Sequence, residues 1–506
     1  MTNAAAATPQ RPRVVVVGAG WAGLGATHHL AQQGYEVTLL EAGAHPGGLV
    51  AGWETAGKSV EAGIHGFWYP YRNIFALTDR LALQPFTPYT RSAQYSPQGL
   101  EVESPLFQAE PYLPSPLGTF VYTDFKRLPL ADRLSALPLL HAVVDFDNSP
   151  EAWQYYDRIS ARELFRQYGV SDRLYRDAFE PMLLVGLFAP GEQCSAAAAL
   201  GMLYYFILAH QPDFDVRWCR GTVGAEIFRP WTQAIEAAGG TILPHHRVTA
   251  VIADEGGDRI TAVMCGEKRF EADAVIFAVG ITGLKKIVAS SPTLRQRAAF
   301  RDVQNLGAVD VLATRLWFDR KVSVPLPSNA CFGFHATTGW TFFDLNALHD
   351  AYRDAPGSVI EVDYYHANQL LPLADGEILP LVQQDLAGCI PAFGEARIVD
   401  AHVVRLPQAV SHFAPGSYRY LLPRHTPFQN LFMAGDWITN RHGSWSQEKA
   451  YVTGLEAANA VVELCHQGQP ADILPVIPDE PHLQWARSLN QSVKACLRGL
   501  GLLASF

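Results

Sequence analysis

A glycine-rich turn stands between an apolar run and a helix-like stretch near the N-terminus. Val14–Val17 is a short β-branched run of the kind that forms a parallel strand buried on both faces. Gly18, Gly20 and Gly23 follow with the spacing G-x-G-x-x-G, and the composition is helical up to about Gln33. In such a unit the first glycine permits the tight turn, the second lets the backbone approach a pyrophosphate, and the third lets the helix pack on the strand. The pattern therefore predicts a dinucleotide site at a helix N-terminus.

An acidic residue completes this unit. A second apolar strand, Glu36–Leu40, ends on Glu41, whose carboxylate can accept hydrogen bonds from the ribose hydroxyls of an adenosine. Strand, glycine turn, helix, strand and acid in this order are much more specific than the glycine spacing alone. The acid also disfavours a ribose 2′-phosphate, which argues against NADP. The alternative is an ordinary tight turn that binds nothing.

Composition limits the class of protein. A chain of 506 residues is long enough for two or more domains. A net charge of −10, without a basic run, argues against a nucleic-acid partner. Seven scattered cysteines form no C-x-x-C pair, which favours a reducing compartment without structural disulfides or zinc sites. The adjacent histidine pairs have no carboxylate or thiol in ligand register, so no metal site is predicted.

The two ends of the chain differ from the rest. Residues 1–12 are alanine-rich and polar, and we expect a disordered lead without the apolar core of a signal peptide. No apolar run is long enough to span a bilayer. The last segment is proline-rich and then helix-like, and its apolar residues fall on one stripe: Trp485, Leu489, Val493, Leu497 and Leu500. The stripe fits either an interfacial helix on a membrane or a helix docked on the protein body.

Further glycines follow the first acid. Gly47 and Gly48 suit a loop that passes close to a cofactor, and the segment Glu61-Ala62-Gly63-Ile64-His65 comes shortly afterwards. The order of βαβ unit, acid, glycine pair and acid-x-Gly resembles the flavin-binding start of the amine oxidase and carotenoid desaturase superfamily. That resemblance implies FAD as the cofactor.

A second anchor lies far along the chain. Leu431–Ala434 predicts a buried strand, and Gly435 and Asp436 follow at its C-terminal end, where ligands bind in open α/β sheets. An aspartate in this place commonly binds the ribityl chain or phosphate of FAD in flavoproteins of this shape. A helix is predicted to run to about residue 464, capped by Ser444 or Ser446. Its N-terminal dipole would stabilise negative charge on the reduced flavin.

Three segments narrow the resemblance. Arg315–Lys321 looks like a strand and turn of plant and cyanobacterial-type phytoene desaturases. Ser411–Gly416 followed by Leu431–Asp436 is similar in order to their C-terminal cofactor segment. Ser446–Ala450 matches a serine-x-glutamate-glycine-alanine run except at Lys449. The resemblance, from about residue 13 to 465, implies an α/β fold with a discontinuous, glutathione-reductase-like Rossmann FAD-binding domain and an α+β substrate domain.

We expect a division into discontinuous domains. The FAD-binding domain would comprise residues 13–90, 225–290 and 400–465, and the substrate-binding domain residues 91–224 and 291–399. Residues 466–506 would form the proline-rich segment and C-terminal helix. Within the substrate domain, Val309–Asp319 and Val359–Tyr365 are predicted strands, and Pro380 is predicted at the start of a helix over 381–390.

The motifs and the resemblance together imply a set of site residues. The predicted cofactor-binding residues are Gly18, Gly20, Gly23, Glu41, Gly47, Gly48, Val248, Gly435, Asp436 and Glu448. The candidates for a catalytic role are Trp437, Trp445, Lys449 and His65. An ammonium at Lys449 fits a position beside the flavin C2 carbonyl, where it would raise the reduction potential, or a position in solvent. The aromatic cluster around His65 fits either a domain junction or a wall facing flavin or substrate.

The desaturase resemblance implies a reaction. Hydride would pass from a long apolar carotenoid or isoprenoid to flavin N5, and a proton would leave the neighbouring carbon. Because the polyene itself stabilises the allylic cation, orientation and exclusion of water matter most. The apolar segment Cys194–His210 fits either a buried core helix or a tunnel wall. A membrane quinone or oxygen would reoxidise the flavin, and we expect a cytoplasmic, peripherally membrane-associated enzyme.

Other functions fit the same motifs. An amine or amino-acid oxidase would produce hydrogen peroxide; such enzymes often hold a lysine near flavin N5 on the strand that here is Val309–Phe318, which contains none. Trp437, Trp445 and Tyr451 would suit an aromatic cage for an amine. A redox-neutral polyene isomerase and a flavin-binding scaffold without turnover are the remaining alternatives.

Overall fold

A computed structural model describes residues 11–440 and 445–499. Its strands are β1 (Arg13–Val17), β2 (Glu36–Leu40), β3 (Gly52–Thr55), β4 (Lys58–Glu61), β5 (Phe67–Trp68), β6 (Ser92–Ser96), β7 (Gly99–Ser104), β8 (Asp124–Phe125), β9 (Val216–Arg217), β10 (Thr241–Leu243), β11 (Ala250–Ala253), β12 (Ile260–Cys265), β13 (Lys268–Glu271), β14 (Ala274–Phe277), β15 (Gly307–Phe318), β16 (Ser328–Cys331), β17 (Gly339–Asp344), β18 (Val359–Tyr365), β19 (Ile398–His412) and β20 (Leu431–Met433).

The α-helices are α1 (Trp21–Gln32), α2 (Arg72–Arg80), α3 (Leu117–Tyr122), α4 (Leu130–Leu134), α5 (Leu139–Asp145), α6 (Pro150–Tyr156), α7 (Ala161–Gln167), α8 (Asp172–Leu174), α9 (Glu180–Gly186), α10 (Ala196–Leu203), α11 (Arg229–Ala237), α12 (Ile281–Ser290), α13 (Pro292–Arg295), α14 (Ala298–Asp302), α15 (Leu345–Leu348), α16 (Asp375–Cys389), α17 (Gln447–Cys465) and α18 (Pro481–Gly499). Single π-helical turns occur at Tyr175–Phe179, Tyr204–Leu208 and Gly224–Phe228.

The first sheet is parallel, with the strand order β10-β2-β1-β14-β20. Its strands come from three separate parts of the chain, as a discontinuous Rossmann-like domain requires. Both faces are covered: Val14 and Val16 of β1 pack into one hydrophobic core, and Val15 and Val17 into another. This two-sided burial explains why residues 14–17 of β1 and all residues of β14 are apolar.

Helices α1 and α17 meet in direct backbone contact beside this sheet. A Cβ atom at Gly454 of α17 would lie 2.1 Å from the carbonyl oxygen of Ala22 in α1. The predicted start of α17 is confirmed, because the Ser446 hydroxyl accepts a hydrogen bond from the Lys449 N–H at 3.0 Å. The alternative cap, Ser444, lies outside the described residues.

The second sheet has the order β19-β15-β18-β17-β16-β6-β7-β8 and is antiparallel except at the β16–β6 pair. It includes β19, which pairs with β15 from Gly307 to Phe318. The predicted domain boundary at residue 400 therefore cuts through a strand of this sheet. The rest of the division into domains stays a prediction. Most of the predicted disordered lead, residues 1–12, lies outside the described residues.

The predicted start of the helix after β18 was wrong. Helix α16 begins at Asp375, and Pro380 lies inside it. The first turn is stabilised by Glu377, whose side chain accepts a hydrogen bond from the Ala374 N–H at 3.0 Å. The prediction placed this proline at the start of a helix, where a missing N–H removes no intrahelical hydrogen bond. In the second turn Pro380 does remove one, and the helix tolerates that loss.

The C-terminal helix α18 is docked through its polar side. Arg487 pairs with Asp479 at 2.7 Å and Lys494 pairs with Asp145, while Leu483 is buried. The apolar stripe faces outward instead: Trp485, Leu489 and Val493 are 68%, 50% and 48% exposed. Leu500, the last residue of that stripe, lies outside the described residues. Within the described ranges, helices of the length and hydrophobicity needed to cross a bilayer are absent.

Candidate active site

A large internal cavity, of about 690 Å³, lies between the two sheets. At one end it is lined by the residues that end β1, β2 and β20 in the first sheet, including Val17, Leu40 and Gly435. At the other end the second sheet contributes Thr341 and Asp363 among others. The cavity thus begins where ligands bind in open α/β sheets and continues away from the nucleotide-binding turn.

The three glycines of the turn have different reasons to be glycine. Gly18 has φ +99°, and a Cβ atom there would lie 2.5 Å from the Ala278 carbonyl oxygen. A Cβ atom at Gly23 would lie 1.8 Å from the carbonyl oxygen of Gly18. At Gly20, by contrast, no described atom lies within 4 Å of the Cβ position, and Gly20 lines the cavity at the N-terminus of α1. The fold itself explains Gly18 and Gly23, whereas the space at Gly20 fits a bound pyrophosphate.

Glu41 stands beside this turn with its carboxylate held by the backbone. Oε2 accepts a hydrogen bond from the Ala19 N–H at 2.8 Å, and Oε1 accepts one from the Gly43 N–H at 2.6 Å. Each oxygen keeps a second lone pair for a ribose hydroxyl. Glu41 lines the cavity, and so does Val248, whose neighbour His246 donates its backbone N–H to the Glu41 carbonyl at 2.7 Å.

The Gly47-Gly48 loop closes over the turn. The Gly47 N–H donates to the Ala19 carbonyl at 2.7 Å, and the Cβ position of Gly48 lies 3.5 Å from the Gly20 Cα. Both glycines have positive φ and both line the cavity. The two segments therefore form one surface against which a dinucleotide would lie.

The segment after β20 reaches the same cavity. Gly435 has φ +137°, and its N–H donates to the Thr453 hydroxyl of α17 at 2.9 Å. Asp436 lines the cavity, and burial raises its pKa to about 6 while Lys449 opposes that rise. Trp437 is fully buried, lines the cavity and donates its Nε1–H to the Val279 carbonyl at 3.0 Å.

Trp445 and Lys449 occupy different surroundings. Trp445 lines the cavity and packs edge-on against Phe188, with ring centroids 5.1 Å apart. Lys449 is buried, so the alternative that it points to solvent was wrong. Burial lowers its pKa to about 8, and the nearby Asp436 opposes that shift. A contact between Lys449 and the flavin stays a prediction, since the described lining residues do not include it.

Glu448 binds the start of α2 and is not among the described residues that line the cavity. Its carboxylate accepts hydrogen bonds from the backbone N–H of Asn73 at 2.7 Å, from the Asn73 side chain at 2.8 Å and from the Ile74 N–H at 3.0 Å. These bonds satisfy free N–H groups in the first turn of α2. These hydrogen bonds hold α17 against α2. The resemblance assigned Glu448 to the cofactor, and that contact stays a prediction.

Sequence reasoning missed an ion cluster beneath the cavity wall. Arg315 of β15 contacts Glu361 of β18 and lies 3.0 Å from Glu61 at the end of β4. All three side chains are buried. Burial raises the pKa of Glu61 to about 7, and Arg315 opposes that rise. Charged residues inside the apolar strands 307–318 and 359–365 were the signal available in the sequence.

A family model described as flavin containing amine oxidoreductase matches residues 21–462. The chain belongs to this family. Zeta-carotene desaturase of Synechocystis sp. is 24% identical, over 89% of this chain and 97% of its own length. 15-cis-Phytoene desaturase of Capsicum annuum is 25% identical, over 90% of this chain and 78% of its own length.

Solved structures agree on the fold. Cyclohexylamine oxidase from Brevibacterium oxydans has a TM-score of 0.68 at 15% identity, covering 90% of this chain and 100% of that one. A putrescine oxidase bound to putrescine has a TM-score of 0.67 at 17% identity, covering 90% and 99%. These structures confirm the predicted α/β fold. The family match confirms FAD as the cofactor and an FAD-dependent oxidoreductase activity, and the individual site residues stay predictions.

The glycine turn gives a first prediction. Gly20→Val will fold normally, because the protein leaves space for the side chain, but it will be purified without bound FAD. Gly18→Val will misfold, since its Cβ would meet the Ala278 carbonyl. Glu41→Ala will also lose FAD, with reduced stability from two N–H groups left without an acceptor. Visible absorbance and thermal unfolding of the purified variants measure both effects. A yellow Gly20→Val protein would contradict the assignment of this space to the pyrophosphate.

The ion cluster gives a second prediction. Arg315→Met will lower the free energy of unfolding by about 3–5 kcal/mol, because it leaves two buried carboxylates without their cation. The native protein holds a proton on Glu61 more tightly than the unfolded chain does. The stabilisation that comes from this proton on Glu61 is therefore fully present below about pH 4.5 and is lost as the pH rises towards about 7.

Glu61→Gln tests the contribution of that proton to stability. Its free energy of unfolding should fall less between about pH 4.5 and pH 7 than that of the wild type, because the variant has no carboxyl to deprotonate. Denaturant unfolding at several pH values measures the difference. Equal slopes in the two proteins would show that Glu61 does not hold this proton.

Proposed function

We propose that this protein desaturates a long apolar polyene of the carotenoid class. The observation that carries the proposal is the wall of the cavity beyond the glycine turn, which is apolar and rich in aromatic rings. Its residues include Met182, Val185, Trp68, Phe206, Phe214, Trp218 and Phe343. Trp68 packs against Phe206 and Phe214 with ring centroids 5.3 and 5.2 Å apart. The desaturase names of the curated relatives support the same substrate class.

The chemistry follows from such a wall. Bound FAD supplies an acceptor for a hydride from an allylic carbon. The protein's task is then to orient the chain and to keep water away from the cation that forms, and the apolar wall does both. Only part of the aromatic cluster around His65 belongs to this wall. Trp68 and Tyr71 line the cavity, whereas Phe67 packs into a core against Trp21.

The amine oxidase alternative has less support. Its aromatic cage required Tyr451 together with Trp437 and Trp445. Tyr451 packs instead against Trp231, with ring centroids 5.7 Å apart, and its hydroxyl accepts a hydrogen bond from Arg80 at 3.1 Å. Strand β15 also carries no lysine. The family name covers amine oxidation, so the reaction itself must be measured.

Peripheral contact with a membrane is part of the proposal. Helix α18 presents Trp485, Leu489 and Val493 outward, and Glu480 beside it accepts a hydrogen bond from the Ser115 N–H at 3.0 Å. The adjoining segment before and within α3 also exposes large apolar residues: Tyr112, Leu117 and Val121. Such a surface suits the interface of a bilayer, where a polyene and a quinone acceptor would both be dissolved.

The reaction gives a third prediction. Expression in a carotene-producing host will yield products lighter by two hydrogens per step, because each turnover removes one hydride and one proton. Purified enzyme will be bleached by a carotene in liposomes and not by amines. Mass spectrometry and flavin absorbance measure these outcomes. Hydrogen peroxide and ammonia from an amine would favour the oxidase, and a product of unchanged mass would favour the isomerase.

The exposed stripe gives a fourth prediction. Replacing Trp485, Leu489 and Val493 together by serine should reduce binding to liposomes by about 100-fold, since these half-exposed side chains together contribute about 3 kcal/mol when they leave water. Val399→Ser is the matched control, because Val399 is 54% exposed on β19 in the second sheet. Co-sedimentation with liposomes measures the binding. Equal loss in the control and the triple variant would contradict a specific docking face.

A further inference from the structure

A short loop after β4 carries His65 to the cavity. His65 is one of the residues that line it, and the residue as a whole is half-buried. Burial nevertheless lowers the pKa of His65 to about 4. The imidazole is therefore neutral at ordinary pH.

The hydrogen bonding of His65 fixes its tautomer. Nδ1 lies 2.9 Å from the Gly63 carbonyl oxygen. A carbonyl oxygen only accepts, so Nδ1 carries the hydrogen and donates it. Nε2 then holds a lone pair, and it makes no hydrogen bond among residues 11–440 and 445–499. A neutral imidazole with a free lone pair can accept a proton from the carbon next to an allylic cation, because that proton is strongly acidic.

Asp363 of β18 holds this loop in position. Its Oδ2 accepts a hydrogen bond from the Ile64 N–H at 2.9 Å. The carboxyl group also lies against Gly63, where a Cβ atom would come within 3.1 Å of Oδ2. Gly63 has φ +95°, a conformation that favours glycine. Asp363 thus fixes the backbone on both sides of the Gly63 carbonyl that orients His65.

The other side of the loop touches the predicted FAD-binding segments. The Gln447 side chain in the first turn of α17 donates to the Gly66 carbonyl at 3.0 Å. The same side chain accepts a hydrogen bond from Trp21 Nε1–H, at 2.9 Å, in the first turn of α1. The residue after His65 is therefore tied to the first turn of α17 and, through Gln447, to the first turn of α1.

We propose that His65 Nε2 accepts the proton that the substrate loses during desaturation, an inference that rests on the proposed function. One carbon of the substrate gives up a hydrogen with both bonding electrons to FAD, the oxidant of that reaction. On the neighbouring carbon the C–H bond breaks, its proton passes to Nε2, and its electron pair forms the new double bond. The substrate is oxidised by two electrons, and the imidazolium returns its proton to solvent when the product leaves.

The surroundings of the loop set the expected pH dependence. Titratable groups near the loop are Asp363 and Tyr365 of β18 and Asp436 after β20, which line the same cavity, and the ion pair of Glu61 in β4 with Arg315 in β15. Burial is the main cause of the low pKa at His65, and the Gly63 carbonyl opposes it. The proton acceptor is therefore free at neutral pH, and the rate should fall only as the pH approaches about 4.

His65→Gln in the FAD-loaded enzyme tests the role directly. Flavin reduction by a carotene should slow by about 100-fold or more, as expected for loss of a general base. FAD content and carotene binding, followed by the change in flavin absorbance, should stay the same. Deuterium at the carbon that loses the proton should slow the variant more than the wild type. His141→Gln, at an exposed histidine, is the matched control.

The tautomer provides a readout that does not depend on turnover. Nuclear magnetic resonance of the FAD-loaded protein with labelled histidine should find His65 neutral, protonated on Nδ1 and titrating near pH 4. Asp363→Ala should disturb this signal because it frees the Ile64 N–H. Asp363→Asn, which keeps an acceptor for that N–H, should restore it.

The failures of the two ideas are distinguishable. Wild-type flavin reduction rates and isotope effects in His65→Gln would overturn the role of His65 and leave polyene desaturation intact. A His65 signal that titrates near its ordinary pKa, or that is protonated on Nε2, would also overturn it. A wild-type enzyme that yields no product two hydrogens lighter would overturn the proposed function instead.

Discussion

The buried ion cluster around Arg315 is the constraint on which the geometry of the cavity depends. The guanidinium joins Glu361 inside the second sheet to Glu61, which belongs to the segment that follows the nucleotide-binding turn. Its Nη1 also donates to the Ser59 carbonyl at 2.7 Å. Because these charges have no bulk water to solvate them, separating them would leave an uncompensated buried charge. The chain that carries His65 therefore has one stable position against the second sheet.

A second joint fixes the opposite side of the cavity. Gly23 packs against the Gly18 carbonyl, and Gly454 packs against Ala22, so α1 and α17 cannot shift without backbone collision. Their N-termini both point to the cavity, where a dinucleotide would receive free N–H groups and the positive ends of two helix dipoles. Backbone contact fixes the cofactor side and buried charge fixes the substrate side. The side chains between these two joints are free to differ among enzymes of one fold.

What the sequence could predict was set by local signals. Val14–Val17 is a continuous apolar run, and Val359–Tyr365 is apolar or aromatic except at Glu361 and Asp363. Both are strands, because buried strands need mainly that composition. Ser446 was predicted from capping chemistry, which acts within one turn. The pairing of β19 with β15 and the contact of Glu448 with α2 depend on residues distant in the chain. Such contacts leave no periodicity to read, so the boundary at residue 400 and the place of Glu448 were beyond sequence analysis.

The fold alone does not choose the reaction, since cyclohexylamine oxidase shares it at 15% identity. The side chains that line the apolar part of the cavity distinguish an amine substrate from a polyene. Amine oxidases often hold a lysine near flavin N5 on the strand that here is β15, but β15 has none. Tyr451, a member of the predicted aromatic cage for an amine, packs into a core instead. A polyene needs rings and aliphatic side chains, and Trp68, Phe206 and Phe343 supply them. A proton released from carbon in such a wall needs an acceptor, and that is the role proposed for His65.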